Sequence, residues 1–213
     1  MNTVHLCARI SELAYHYDPR PGLLALGFDL VRKYDRNGTQ AILVTDYVSV
    51  VLAFRGTEEP KDFLTDLRYI KCDFPGGGRV HRGFYGAFME VWDDIAGDLA
   101  GLAYPKIFTG HSLAAALSVM AAVLRPPREV HVFGCPKVGN SGFVNRLTRP
   151  VTRYENWLDI VTYLPPAISP IQAAHSLRHG RRPTLYTHAG KRVGLSGIGH
   201  LIRRYRKATA GLG

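Results

Sequence analysis

KIFTGHSLAAALSVMAAVL, residues 106–124, reads as a short strand, an abrupt turn and a helix. The strand part is brief and apolar. Residues 113–124 are so uniformly apolar that a helix there has no polar side and must be enclosed on most sides. Ser112 falls on the turn between the two. A serine on a tight strand-to-helix turn projects its Oγ clear of the sheet, while the helix N-terminus offers backbone N–H groups and a dipole that favours negative charge. The pattern G-x-S-x-G keeps its first glycine as Gly110 and has Ala114 in place of the second. Alanine is the smallest possible departure, so a sharp turn is still sterically reasonable. Ser112 is then either a nucleophile or a helix-capping serine.

Working outward, VHVFG (130–134) is a second strand and residues 139–147 a short helix. VTRYEN and TLYTH read as further strands, and residues 201–208 as a terminal helix with Leu201, Ile202, Tyr205 and Ala208 inward. Upstream, AILVTD (41–46) and SVVLAF (49–54) are β-branched runs separated by a short turn. Residues 4–15 place Leu6, Ile10, Leu13 and Ala14 at helical spacing, and a second helix is expected around 23–33. From 86 to 103 the helical period is clear, with Phe88, Trp92, Ile95, Leu99 and Leu102 on one side and Glu90, Asp94 and Asp98 as a solvated face. Strands alternating with helices predict an α/β fold with a mostly parallel central sheet and helices on both faces.

Length and composition agree. A chain of 213 residues suits one compact domain, and 46% hydrophobic with 21% charged residues excludes disorder and coiled coil. No run approaches the ~18 apolar residues of a transmembrane helix. The opening MNTVHLCARISELAYHYD lacks the apolar core and cleavage site of a signal peptide, which reads as a cytoplasmic protein, although a trimmed secreted chain would look the same. Cys7, Cys72 and Cys135 are odd in number and far apart, so neither a disulfide framework nor a zinc site is indicated. Of the net charge of +10, almost all comes from residues 175–213, which hold nine Arg or Lys and no acid. Such a field suits contact with an anionic lipid surface, or solubility alone. No zinc finger and no basic sheet with interleaved aromatics points to nucleic acid.

A nucleophilic serine on this kind of turn needs an acid and a base following it in the order Ser, Asp, His. Asp159 is the one aspartate after Ser112, and beyond it the chain has no acid at all; Glu129 and Glu155 are the intervening glutamates. The base is not decided by order, since His175, His179, His188 and His200 all follow.

Several segments together resemble the class 3, fungal-lipase-like family of the α/β-hydrolase fold. They are LAFRGTEEPKDFLTDLRYI (52–70), VHRGFYGAF (80–88), FTGHSLAAAL (108–117), VFGCPKVGNSGFVNRL (132–147), NWLDIVTYLPP (156–166), YTHAG (186–190) and GHLIRRY (199–205). The resemblance implies a serine hydrolase acting on carboxylic esters of lipids through an acyl-enzyme, with a lipid or small ester as substrate and no cofactor or metal. It assigns the nucleophile to Ser112, the acid to Asp159 and the base to His200, and makes His188 and His81 structural. It places the oxyanion donors at the backbone N–H groups of Thr57 and Leu113. It also implies a lid over residues 58–72, with Phe63, Leu64, Leu67 and Ile70 on its apolar side. Phospholipase A1-type activity and an inactive lipid-binding module are the alternatives. The chain is short for this family, with an interval of 41 positions from Asp159 to His200, which suggests a shallower acyl pocket and shorter esters.

Overall fold

The computed structural model describes residues 1–56, 69–168 and 170–212. One seven-stranded sheet organises it, built from β1 (Asp29–Arg36), β2 (Thr39–Thr45), β3 (Val50–Phe54), β6 (Lys106–His111), β7 (Glu129–Phe133), β8 (Val151–Trp157) and β9 (Lys191–Ile198), in that spatial order. The first three are antiparallel neighbours, and from β3 onward every pairing is parallel. Between β3 and β6 lies a small separate hairpin, β4 (Lys71–Asp73) with β5 (Arg79–His81).

Helices cover both faces because the central strands are apolar on both. Along β3, Val50, Leu52 and Phe54 enter one core with α3 (Arg82–Gly101) and α4 (Leu113–Leu124), while Val51 and Ala53 enter the opposite core with α1 (Thr3–Leu13) and α7 (Ile202–Thr209). Strict alternation along a strand produces this division, and it explains why these strands read as unbroken apolar runs. Helix α4 is buried along most of its length, as its lack of a polar side requires. Phe88, Trp92, Ile95 and Leu99 of α3 are buried. Its acids are paired and not simply solvated: Asp98 binds Arg32 and the Tyr34 hydroxyl, Asp94 binds Arg36, and Glu90 accepts from Asn37. The acidic face of α3 therefore docks on the basic strand β1.

Three local expectations are corrected. Residues 29–33, expected as the end of a second helix over 23–33, belong to strand β1 (Asp29–Arg36), and the helix of this region is α2 (Arg20–Leu24). Asn37 and Gly38, with φ of 47° and 80°, make the tight two-residue turn that pairs β1 with β2, and this hairpin outweighs the helical spacing upstream. TLYTH is not a strand, contributing a single bridge from Thr187 to Gly139; the edge strand is β9, whose Gly194 and Gly197 obscure its β pattern. Leu201 is exposed, and Tyr205 is the fully buried anchor of α7. All three cysteines are free, Cys7 and Cys135 buried and Cys72 partly so.

The first turn of α4 rests directly on Gly110. A Cβ at Gly110 would lie 2.6 Å from the Ala114 carbonyl carbon and oxygen and 2.9 Å from its Cβ. Gly110→Ala should therefore cost at least about 1–3 kcal/mol through overpacking against backbone, seen as a lowered urea midpoint. Ala114→Gly should also destabilise, by about 1 kcal/mol from helix propensity plus a small void, since the Ala114 methyl is fully enclosed. An unchanged or raised midpoint for Ala114→Gly would show that the methyl is strained.

Candidate functional site

The C-terminal ends of the parallel strands bring three chain segments together. Ser112 follows β6, Asp159 lies two residues beyond β8, and His200 two residues beyond β9. In open α/β sheets, ligands bind outside these carboxyl ends. Strand β6 pairs with β7 so that His111 lies opposite Phe133, and Ser112 N–H donates to the Phe133 carbonyl at 3.0 Å. Ser112 and Gly134 are thus neighbours on adjacent strand ends. Ser112 adopts φ 62° and ψ −125°, a region that ordinary residues avoid and that sharp strand-to-helix turns impose.

Asp159 and His200 are stacked over Gly134. A Cβ on Gly134 would fall 2.8 Å from Asp159 Oδ2 and 2.9 Å from His200 Cε1, and its φ of +56° is one that glycine adopts freely. His200 Nδ1 lies 2.9 and 2.8 Å from Asp159 Oδ1 and Oδ2, so it carries the proton it shares with the carboxylate. Its Nε2 is left as a lone-pair acceptor. Among the described residues neither His200 Nε2 nor Ser112 Oγ has a hydrogen-bond partner, and both atoms are buried.

The carboxylate is itself held on every side. Val161 N–H donates to Asp159 Oδ1 at 3.0 Å, and the Tyr205 hydroxyl donates to Oδ2. Burial alone would raise the Asp159 carboxyl; the hydrogen bonds and charge of His200, with the Tyr205 bond, outweigh it and hold the group below its ordinary value. Tyr205 accepts in turn from Asn156 N–H at 3.1 Å, and Asn156 Nδ2 donates to the Gly199 carbonyl at 3.1 Å. The loop bearing His200 is therefore tied to the strand bearing Asp159.

His111, the residue between Gly110 and Ser112, makes a second tie. Its Nε2–H donates to the His200 carbonyl, which leaves Nδ1 to accept from the Tyr15 hydroxyl at 3.0 Å. The two imidazoles lie 4.4 Å apart. Burial, and then the neighbouring His200, push His111 down to about 3, so it stays neutral and works as a strut. Gly56 closes over this strut: a Cβ there would come within 2.2 Å of the Tyr15 hydroxyl and 2.7 Å of the His111 carbonyl.

The remaining sequence candidates divide. His188 is half-buried beside Arg153, with Nδ1 2.8 Å from its Nη1, and His81 caps α3 by accepting from Gly83 and Phe84 N–H groups at 3.1 and 3.4 Å. His175 and His179 lie against each other, their rings tilted with centres 4.5 Å apart, and make no hydrogen bond to Asp159 or His200 among the described residues. Leu113 is the first residue of α4, where N–H groups have no intrahelical carbonyl to bond. Thr57, Phe63, Leu64 and Leu67 lie outside the described residues; Ile70 is partly buried, its carbonyl accepting from Arg82 N–H at 2.9 Å. Tyr205, His111, Tyr15 and Gly134 were not assigned roles from sequence. An aromatic five residues beyond His200 was the one visible signal, for Tyr205. Among the described residues no three His, Cys, Asp or Glu side chains converge as a metal-binding set.

A sequence model of the family described as Lipase (class 3) matches residues 51–169, more than half of the chain, so this protein belongs to the class 3 lipase family. The secreted mono- and diacylglycerol lipase 1 of Fusarium solani is 29% identical over 153 residues, covering 62% of this chain and 45% of that protein. The secreted mono- and diacylglycerol lipase A of Penicillium camembertii is 30% identical over 125 residues, 52% of this chain and 41% of the relative. The chain thus spans less than half the length of these relatives. The triacylglyceride lipase of Rhizomucor miehei superposes with a TM-score of 0.72 at 21% identity, over 90% of this chain and 78% of its own. A triacylglycerol lipase of Penicillium expansum gives 0.70 at 20% identity, over 92% and 79%. The fold is that of the α/β-hydrolases, as expected from the strand and helix order.

Two buried histidines, His111 beside His200 and His81 at the start of α3, make stability depend on pH. Burial lowers His111 to about 3 and, with the nearby Lys71, His81 to about 4, both below the ordinary 6.5. As pH falls below 6.5 the unfolded chain takes up protons that the folded chain refuses, so stability falls by about 1.4 kcal/mol per pH unit for each group. His188, lowered to about 3 by burial and Arg153, acts in the same sense. Asp159, with its lowered value, stays ionised throughout this window and loses its contribution only below it. Urea midpoints should therefore drop between pH 7.5 and 5; a flat profile would contradict the neutral, enclosed state of His81 and His111.

Proposed function

We propose that this protein is a serine hydrolase that cleaves carboxylic esters of lipids through an acyl-enzyme. One observation carries the reading: at the carboxyl ends of the strands, Ser112 Oγ and His200 Nε2 are both buried with no hydrogen-bond partner among the described residues, while the other nitrogen of that imidazole lies 2.9 Å from Asp159 Oδ1. An unsatisfied buried hydroxyl and a lone pair are costly to keep and are what a nucleophile and its base require. His200 Nε2 takes the Ser112 proton as Oγ attacks the ester carbonyl, and Asp159 offsets the imidazolium charge that forms. Leu113 N–H donates to the tetrahedral oxygen, and the family resemblance assigns the second donor to the Thr57 N–H. His200 then gives the proton to the departing alkoxide, and water, deprotonated by the same nitrogen, releases the acid from Ser112.

A lipid as the acyl donor is favoured by the surface around these residues. Trp157, Leu158, Ile160, Tyr163, Ile198 and Leu201 are all exposed and lie within a few positions of Asp159 or His200 in the chain. Exposed apolar residues so concentrated mark a surface for an apolar partner. Membership of the class 3 lipases supports the same reaction, and the relatives named as mono- and diacylglycerol lipases suggest partial glycerides as the substrate. Those relatives are also named as secreted, which favours a secreted protein over the cytoplasmic expectation. Among the described residues no helix is long and apolar enough to cross a membrane.

Ser112→Ala should fold with an unchanged circular dichroism spectrum and lose ester hydrolysis and fluorophosphonate labelling; most activity retained would overturn the assignment. His200→Ala should lower kcat by several orders of magnitude, with His188→Ala costing stability instead. Tyr205→Phe removes one hydrogen bond to a charged carboxylate, a loss of about 1.5–3 kcal/mol, and should lower kcat roughly tenfold or more. A panel of short p-nitrophenyl esters, mono- and diacylglycerol, triacylglycerol and phospholipid ranks the substrates. Strongest turnover of phospholipid would favour the phospholipase A1 alternative, and labelling without turnover of any ester would favour a binding module.

A further inference from the structure

The small β4–β5 hairpin and residues 175–181 line an open pocket of about 360 Å³, within the range of ligand pockets. Lys71, Arg79, Arg82 and Arg181 line it with His175 and His179, and Asp73 is the one acid among the lining residues. That carboxylate is already shared. Arg181 Nη1 lies 3.2 Å from both of its oxygens and Arg79 Nε 3.5 Å from one.

Among the described residues, the other two lining cations of fixed charge, Lys71 and Arg82, have no carboxylate partner. The Lys71 side chain is buried, and its Nζ is held by neutral partners, donating to the Thr184 carbonyl at 2.7 Å and sitting 3.7 Å from the Tyr186 ring centre. Arg79 Nη2 donates to the Lys71 carbonyl, while its Nε is buried without a hydrogen bond. Arg82 has no carboxylate partner among the described residues. Strand pairing sets this concentration, since Lys71 lies opposite His81 and Asp73 opposite Arg79. The groups feel one another: burial and Arg79 bring Lys71 down to about 8, and His175 is lowered by burial, His179 and the surrounding arginines. Charges that served solubility alone would have no reason to accept burial and mutual repulsion.

We propose that this pocket binds a phosphate group, carried as a monoester on a lipid headgroup or on a soluble phosphate ester. Three charge-dense oxygens match a concave set of guanidinium forks and an ammonium better than a single carboxylate does. The exposed side chains of Ile168, Ile171, Leu177 and Leu185, flanking the cationic residues in the chain, provide apolar contact if the phosphate sits on a lipid. The proposal does not depend on the hydrolase reading, because the pocket shares no residue with Ser112, Asp159 or His200.

The test titrates the full chain with inorganic phosphate and glycerol 3-phosphate by calorimetry, and measures flotation with vesicles of phosphatidylcholine containing phosphatidic acid or, at matched charge, phosphatidylserine. The variants are Arg82→Gln with His175→Gln, exposed or half-exposed positions that should fold, and a control of Arg203→Gln with Lys207→Gln, which removes charge from α7 instead. Saturable phosphate binding that weakens at least tenfold in the pocket variant and is unchanged in the control is the expected result. Preference for phosphatidic acid vesicles, lost in the pocket variant, identifies a lipid headgroup; phosphate binding without that preference identifies a soluble ester. No saturable phosphate binding, or equal weakening by pocket and control variants, would overturn the proposal and leave the charge as a diffuse field. Ester hydrolysis measured on a neutral short ester should be the same in all of these variants, whichever way the binding falls.

Discussion

The backbone at Ser112 sets the geometry of everything around it. A non-glycine residue at φ 62° and ψ −125° is held there only if its neighbours leave it no alternative. Strand β6 arrives hydrogen-bonded on both sides, to β3 and β7, and α4 departs enclosed within the core. Between them one residue must reverse the chain. Gly110 lets the first turn of α4 close onto the strand, and the Phe133 carbonyl fixes the Ser112 N–H from the neighbouring strand. Strain at this position, of order 1–3 kcal/mol in general, is offset by the burial of an almost wholly apolar helix.

The same turn organises its partners. His111 cannot reach the sheet face that Ser112 occupies, and instead holds the His200 carbonyl and receives the Tyr15 hydroxyl. Asp159 receives donors from three separate segments, namely His200, Tyr205 and the Val161 backbone. Helix α7 thus reports on the site from both ends: it follows directly on His200 and buries Tyr205 against Asp159. Glycines 56, 110 and 134 are the places where any side chain would separate these parts.

Electrostatically, the chain keeps two distinct regimes. At the strand ends, the Asp159 carboxylate is bonded to the His200 imidazole and the Tyr205 hydroxyl, and the buried histidine His111 stays neutral beside them. On the β4–β5 side, cations gather around one acid among the lining residues, and Arg181 brings part of the excess positive charge of residues 175–213 to Lys71, Arg79 and Arg82, while Arg192 pairs with Glu155 and Arg206 with Glu12.

Much of this was legible in the chain. The strand–turn–helix around Ser112 and the apolar α4 follow from local pattern, and Asp159 follows from elimination, because no acid lies beyond it. Strand β1 was missed because its charged residues pack against the acids of α3, a contact that no local window contains, although Asn37-Gly38 marked the turn. Four histidines satisfied the required order equally, and spacing could not rank them. The resemblance of GHLIRRY to the class 3 family assigned His200; β9 lying beside β8 brings that residue to Asp159 and leaves His188 against Arg153. Tyr15, His111 and Tyr205 are up to 190 residues apart in sequence and acquire their roles by packing on one another's neighbours. Local sequence determined which residue types stood at the strand ends; the order and twist of the strands decided which of them touch, since a hydrogen bond needs atoms within about 3 Å and the chain alone specifies only their separation along it.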